Sequence, residues 1–115
     1  MADLTKYEAA MAKRDPIALS KLLLDDSHEF HEDIVFELGL IGDRCAISAI
    51  AQAVQIPFEH VVNWNNLHEF QRKCAYALAN IGTPESRSVL EALASQSDPY
   101  LQKYGREGPE HWGSK

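Results

Sequence analysis

The sequence predicts an all-α fold, and three observations lead to this prediction. Residues 27–54 and 67–94 are two copies of one unit, because a shift of 40 positions makes seven of 28 aligned residues identical, where ordinary composition gives about two. Apolar residues recur at spacings of three and four along both copies. No run of alternating β-branched residues is long enough to indicate a strand.

Seven helices are expected. Their approximate spans are 3–13, 16–24, 27–40, 44–54, 67–80, 84–95 and 99–106. The two long helices of the repeat copies have matching apolar positions, which are Phe30, Ile34, Leu38 and Ile41 in the first copy and Phe70, Cys74, Leu78 and Ile81 in the second. Because these positions share one side of a helix, each long helix is expected to bury one face.

Capping residues give the boundaries of the first four helices. The Asp15-Pro16 pair opens the second helix, and Asp26 with Glu29 forms an expected capping box for the third. Gly42 ends the third helix in the left-handed conformation that favours glycine, and Asp43 opens the fourth. The apolar face of the fourth helix is Ile47, Ile50 and Val54.

The second copy repeats these signals. Asn66 with Glu69 is the expected capping box of the fifth helix, and Gly82 ends that helix. The Thr83-Pro84 pair opens the sixth helix, and the Asp98-Pro99 pair opens the last. The apolar face of the sixth helix is Val89, Leu90 and Leu93.

Length and composition favour one domain that covers residues 1–115. No signal peptide, lipid anchor or long uncharged apolar segment is evident, so a soluble cytoplasmic protein is expected, without membrane partners. The net charge of −6 argues against nucleic acid as a partner. Cys45 and Cys74 are too few for a disulfide framework or a four-ligand zinc site, and both are expected to be small core residues.

The negative charge is concentrated in one segment. Residues 25–37 contain six acidic residues and no lysine or arginine. Such a run is typical of a solvated helix face. It also fits a landing surface for a basic protein, and both interpretations stay open.

The residues around the first glycine resemble a known family. Residues 37–43, Glu-Leu-Gly-Leu-Ile-Gly-Asp, followed by Ala46-Ile47, resemble the signature of HEAT-like repeats of the phycobilisome-lyase type, and residues 77–84 resemble it again. The resemblance covers roughly residues 15–107. It implies a short right-handed α-solenoid that supplies binding surfaces, with helices 27–40 and 67–80 lining the concave side.

The connection between the two copies is eight residues longer than the corresponding later one, and the excess lies near residues 55–65. Insertions in repeats extend loops on one face, often the binding face. The segment is predicted to be either a packed mini-helix that begins at its proline or an aromatic anchor for a partner. The two combine if Phe58 and Val62 pack inward while His60 and Trp64 stay outside.

A protein-binding surface is predicted on the two long helices and the insertion. Phe36 and Tyr76 align in the repeat and would form an aromatic pair, bordered by acids in one copy and by bases in the next. A charge split of this kind suits recognition of one particular protein surface. The predicted contact residues are Glu32, Asp33, Phe36, Glu37, Phe58, His60, Trp64, Arg72, Lys73 and Tyr76.

Three His-Glu pairs raise the question of a metal site. They resemble the iron-binding dipeptides of deoxyhypusine hydroxylases, which are HEAT-like enzymes. In those enzymes the histidine lies six residues before the leucine of the repeat signature, and Glu32 and Arg72 occupy these positions here. No metal and no cofactor are therefore expected, and His28 and His68 are expected on the surface of the first helical turn.

No other pattern indicates catalysis. The glycines are dispersed rather than grouped in a phosphate-binding loop, and no nucleophile has a base and an orienting group at a recognisable spacing. Residues 99–115 are rich in helix breakers and are expected to form a short helix and a tail. Tyr100, Tyr104 and Trp112 either cap the exposed end of the core or contact a partner.

The sequence therefore predicts a protein-binding module without chemistry of its own. Small acidic HEAT-like proteins are similar to the immunity proteins that bacteria produce with polymorphic or contact-dependent toxins, which implies a basic toxin domain, often a nuclease, as the partner. A monomer or a 1:1 complex is expected. An adaptor or assembly factor is the alternative, and a metal-dependent hydroxylase is a distant third.

Overall fold

The computed structural model describes residues 4–26 and 28–112, and it describes side chains for residues 5–26 and 28–107. Within these residues the chain forms helices and connections, and no strand. The helices are α1 (Leu4–Lys13), α2 (Pro16–Leu23), α3 (His31–Ile41), α4 (Ile47–Ala53), α5 (Glu59–Asn63), α6 (Leu67–Ile81), α7 (Pro84–Ala94) and α8 (Pro99–Trp112), with a 3-10 turn at Arg44–Ala46 before α4.

The helices pack in two rows. Helix α6 lies between α3 and α8 in one row, and α4 contacts α2 and α7 in the other. Helix α2 packs on α3, and α7 packs on both α6 and α8, so the rows are joined along their length. The all-helical, two-row arrangement confirms the predicted fold class, since stacked helical hairpins of this kind form a solenoid.

The predicted apolar stripes form the core. Ile34 and Leu38 of α3 and Phe70, Cys74 and Leu78 of α6 are completely buried. Helices α4 and α7 cover them with the residues that the sequence predicts, which are Ile47, Ile50, Val54, Leu90 and Leu93. Burial of one such large apolar side chain stabilises a fold by about 1.5–3 kcal/mol.

Most of the predicted helix caps are present. The Asp15 carboxylate accepts hydrogen bonds from the amides of Ile17 and Ala18 at 3.1 and 3.2 Å. Thr83 forms a reciprocal capping box with Ser86. The carboxylates of Asp43 and Asp98 likewise accept from the amides of Cys45 and Tyr100, at 2.9 and 2.8 Å.

The two predicted left-handed glycines are also confirmed. Gly42 has φ 74° and Gly82 has φ 70°, and each ends a long helix. Their amides donate to Leu38 and Leu78, which satisfies one carbonyl in the last turn of each helix.

Helix α3 begins at His31 rather than near residue 27, so the predicted capping box of Asp26 and Glu29 is wrong. Two histidine rings are buried at this point. His28 bonds to the carbonyl of Leu22, and His31 bonds to that of Asp25. The backbone at residues 28–30 is therefore not helical. In the second copy Asn66 does precede the helix, but its side chain makes no capping bond.

Helix α8 continues to Trp112, whereas the sequence predicts an end near residue 106. Gly105 does not break the helix and lies where α8 approaches the backbone of α7 closely. A Cβ atom at Gly105 would lie 2.4 Å from the amide nitrogen of Ala94. Tyr104 is buried, as expected of a cap on the core, whereas Tyr100 is half exposed and the side chain of Trp112 lies outside the described residues.

The two cysteines differ. Cys74 is buried in the core, and burial raises the pKa of its thiol. Cys45 is exposed at the 3-10 turn, so its predicted place in the core is wrong.

Candidate protein-binding surface

Most of the predicted contact residues lie together on the solvent side of α3 and α6. We call this surface the α3–α6 face and define it by Glu32, Asp33, Phe36, Glu37 and Leu40 of α3 and by Arg72, Lys73, Tyr76 and Asn80 of α6. The two helices pack directly on each other. The repeat therefore brings the aligned positions of both copies to one surface.

The centre of the α3–α6 face is apolar. Phe36 is 59% exposed and Leu40 is 55% exposed. A groove of about 340 Å³ lies between the helices, and both Phe36 and Tyr76 line it. Gly39 lets α3 lie close to α6 at this groove, since a Cβ there would lie 3.0 Å from the Cα atom of Ala77. The predicted aromatic residues thus share one groove.

The charged residues of this face are largely joined to one another. The ammonium of Lys73 lies 3.5 Å from the carboxylate of Glu32, so the ion pair crosses from α6 to α3. Arg72 donates to the Tyr76 hydroxyl at 3.0 Å, with its guanidinium 5.0 Å from the ring centre. The sequence predicts separate acidic and basic borders, whereas these contacts neutralise much of that split within the chain.

Both ends of the face are tied to other helices. Arg14, which follows α1, donates to Glu37 at 2.8 Å. The Tyr76 hydroxyl donates to Glu107 of α8 at 3.2 Å. The polar rim therefore holds the face in place, and the large exposed groups at its centre are Phe36 and Leu40.

The other three predicted contact residues belong to the insertion, residues 55–65. The predicted mini-helix is present as α5, which begins at Glu59 rather than at Pro57 and buries Val61. Phe58 is 4% exposed, so it is a core residue and its predicted contact with a partner is wrong. Val62 is 46% exposed and does not pack inward as predicted, because the helical turn directs Val61 to the core instead. Trp64 is 74% exposed, as predicted, and His60 is half buried.

A stack of rings holds the insertion against α3. We call it the histidine stack, and its members are Tyr7, Phe30, His28, His31, Phe58 and His60. His31 is at its centre, with ring centres 4.3 Å from His28 and 3.9 Å from Phe58. Both His28 and His31 are buried, so the expectation that His28 is a surface residue is wrong. His68 does lie on the surface, where its ring stacks on that of Tyr100.

The hydrogen bonds of the stack define its proton positions. The Nε2–H of His31 donates to the carbonyl of Asp25 at 2.7 Å, which leaves Nδ1 as an acceptor. The Nε2 atom of His60 lies 3.3 Å from that Nδ1 and acts as the donor. Burial lowers the pKa of His31 to about 4, because the interior disfavours the imidazolium ion. His31 is therefore neutral at pH 7.

The spacing of α3 contains a signal for the buried histidine. His31 lies three, four and seven positions before Ile34, Val35 and Leu38, so it belongs to the same helical stripe as these core residues. The predicted stripe runs through Phe30 and does not include His31.

In the described part of the chain, no group of three or more His, Cys, Asp or Glu side chains is arranged to hold a metal ion. Over the same residues, none of the helices has the length and apolar character needed to cross a membrane.

Residues 70–96 match the family model described as the PBS lyase HEAT-like repeat. The match covers most of α6 and all of α7, and it supports the predicted HEAT-like repeat in this part of the chain. No curated protein and no solved structure matches the chain. A HEAT-like repeat usually forms a helical scaffold for protein interaction.

Proposed function

We propose that this chain is a non-catalytic protein-binding scaffold that acts as an immunity protein. Its α3–α6 face binds a basic toxin domain and blocks that domain in a 1:1 complex. The HEAT-like repeat supports the role of a scaffold, and the properties of the face support the choice of partner.

The observation that carries the proposal is the exposure of Phe36, which lines a groove, together with that of Leu40 one turn further along α3. Single exposed apolar residues are common on protein surfaces and mean little. Here two large apolar side chains lie one turn apart on α3, and one of them, Phe36, lines a groove between the two repeats. An apolar centre inside a polar rim is the usual anatomy of a protein interface.

The charge of the chain favours a basic partner. The net charge is −6, and Asp33 adds an exposed carboxylate to the face. Opposite charges on two proteins raise the rate at which they meet. Fast association suits an inhibitor, since it must reach the toxin before the toxin reaches its target.

Trp64 is proposed as a second contact with the partner. It projects from the end of α5 and is 74% exposed, while its neighbours in the insertion hold that helix on the core. Exposed tryptophan residues often dominate the binding energy of an interface.

The proposal is tested by co-expression with the cognate toxin domain and by affinity measurement on the purified pair. Wild-type protein is expected to protect cells and to form a tight 1:1 complex. Replacement of both Phe36 and Leu40 by alanine should weaken binding by about a hundredfold, because two anchors of about 1–2 kcal/mol each are lost. Ile17→Ala is the matched control, since Ile17 is 61% exposed on α2 and lies outside the face. Absence of protection, or of a complex, would refute the proposal.

A second function, an adaptor or assembly factor, is favoured by one observation. The charges of the α3–α6 face are joined within the chain by Glu32–Lys73 and by Arg14–Glu37. A partner that uses only the apolar centre would bind by a mainly hydrophobic contact. Such association is insensitive to salt, which distinguishes it from electrostatically steered inhibition.

A further inference from the structure

A second cavity lies away from the α3–α6 groove, between the segment that precedes α3 and the insertion. We call it the insertion cleft, and it has a volume of about 540 Å³. The residues that define it are Glu29, Phe30, Ile56, Pro57, Glu59 and His60. Neither repeat copy forms this cleft by itself, because one wall precedes α3 and the other is the inserted segment.

The cleft is built on rigid supports. His31 bonds to His60 at 3.3 Å and stacks on Phe58, which joins the two walls behind the cavity. The ring of Phe30 is fixed between Tyr7 and His28. The cleft is therefore preformed, so binding of a ligand would require little free energy for ordering its side chains.

The walls and the rim differ in character. Phe30 and Ile56 are half-buried apolar groups that pack against the core. The carboxylates at the rim are those of Asp26, Glu29 and Glu59, and all three residues are exposed. In the described part of the chain, the ion pairs involve none of these three carboxylates.

We propose that the insertion cleft binds an arginine side chain from an extended basic segment of the partner protein. The aliphatic stem of arginine fits the apolar walls, and its guanidinium forms paired hydrogen bonds with the carboxylates at the rim. An acidic segment would be repelled by the rim. The inference rests on the proposed function in one respect, that the partner is a basic protein.

The test uses the full chain and a blocked pentapeptide with one central arginine among glycine and serine residues. Titration is followed by the amide chemical shifts of the isotope-labelled protein. Shifts are expected at residues 28–31 and 56–63. The same peptide with citrulline, which keeps the shape of arginine and removes its charge, should bind at least about tenfold more weakly. Lysine in that position should bind more weakly than arginine and better than citrulline.

Two substitutions test whether the peptide binds in the cleft. Glu29→Gln and Glu59→Gln should each weaken peptide binding by about threefold, and together by about tenfold, since exposed ion pairs contribute modestly. Glu85→Gln at the start of α7 is the matched control, because its carboxylate is also exposed and does not line the insertion cleft. Equal binding of arginine and citrulline peptides, shifts confined to other residues, or unchanged binding by the double variant would overturn the inference.

Failure of this inference and failure of the proposed function give different results. The peptide titration requires no partner, so it reports on the cleft alone. If the Phe36 and Leu40 substitutions abolish toxin binding while Glu29→Gln with Glu59→Gln leaves it unchanged, the proposed function stands and the inference is overturned. If the double variant weakens both peptide and toxin binding, the inference is supported.

Discussion

His31 connects three parts of the chain. Its ring bonds to the carbonyl of Asp25 in front of α3, bonds to His60 in the insertion, and stacks on Phe58. The residue itself begins α3. The bond from His60 requires a neutral ring, whereas the Nε2–H of either form donates to Asp25. Protonation of His31 therefore removes the acceptor for His60 and places a charge in the interior.

Acidification should therefore destabilise the protein through His31. Its pKa is about 4 in the folded chain and 6.5 in the reference state, so the unfolded chain binds the extra proton between these values. The contribution of His31 is fully present above pH 6.5 and is lost as the pH falls to about 4, by up to about 3 kcal/mol. Urea unfolding at several pH values measures this.

The variant His31→Gln gives the matched measurement. It should be less stable at pH 7, since glutamine cannot replace the stacking of the ring, but its free energy of unfolding should fall less steeply between pH 6.5 and 4. His68→Gln, at an exposed position on α6, is the matched control because it removes a histidine outside the histidine stack. Parallel slopes for wild type and His31→Gln would contradict the assignment.

The close approach of the helices at Gly105 predicts that a single substitution there destabilises the protein. Alanine is normally the better helix former by about 1 kcal/mol, yet Gly105→Ala should destabilise the protein by about 3 kcal/mol, because its Cβ would overlap the backbone of α7. Gly39→Ala should cost less, since its Cβ would lie 3.0 Å from Ala77 rather than 2.4 Å from Ala94. Thermal unfolding of both variants tests the order, and a stabilised Gly105→Ala would disprove the close approach.

These residues show where the sequence is insufficient. The spacing of His31 with the core residues of α3 is visible in the sequence, but its burial depends on the carbonyl of Asp25, whose position follows from a non-helical path. The same holds for Gly105. The sequence alone does not distinguish a glycine in a loop from a glycine that lets two helices pack closely. Only the position of α7 distinguishes the two.

The insertion is an element whose packing can be tested by itself. Phe58 and Val61 face the core, while Val62 and Trp64 face solvent. Phe58→Ala should lower the free energy of unfolding by about 3 kcal/mol, because it removes a buried aromatic ring and leaves a cavity. Val62→Ala, on the same short helix, should change it by less than about 0.5 kcal/mol. Chemical denaturation measures both.

Trp64 and Phe58 lie in the same insertion, but only Phe58 is expected to contribute to stability, whereas Trp64 is expected to contribute to binding. Trp64→Ala should leave the free energy of unfolding nearly unchanged, since the side chain is 74% exposed. If Phe58→Ala is as mild as Val62→Ala, the insertion does not pack on the core as the structure describes.

Helix boundaries that depend on capping hydrogen bonds could be predicted. Boundaries that depend on contacts with groups outside the helix could not. The caps at Asp15, Asp43 and Thr83 satisfy amides within three residues, so the sequence is sufficient. The start of α3 depends on imidazoles that bond to carbonyls six residues earlier. Helix α8 packs on both α6 and α7, and these contacts between helices are not visible in the sequence around residue 106.

For the chain as a whole, the repeat predicts the solenoid because identical positions recur where packing requires them. The match to the HEAT-like repeat family at residues 70–96 supports this through the second copy. The binding surface is less predictable. Phe36 and Tyr76 share a groove as the repeat implies, but the ion pair from Glu32 to Lys73 depends on how far apart two helices lie.

Salt dependence of association tests the proposed function of the whole molecule. With a net charge of −6 and a basic partner, the association rate should fall by about tenfold or more between about 20 mM and about 500 mM salt, because screening removes the long-range attraction. The dissociation rate should change little, since it depends on the apolar centre formed by Phe36 and Leu40. Alanine at these two positions should therefore speed dissociation and leave the salt dependence unchanged, whereas Asp33→Asn should reduce the salt dependence. Stopped-flow measurements give both rates, and an association rate that ignores salt would favour the adaptor over the inhibitor.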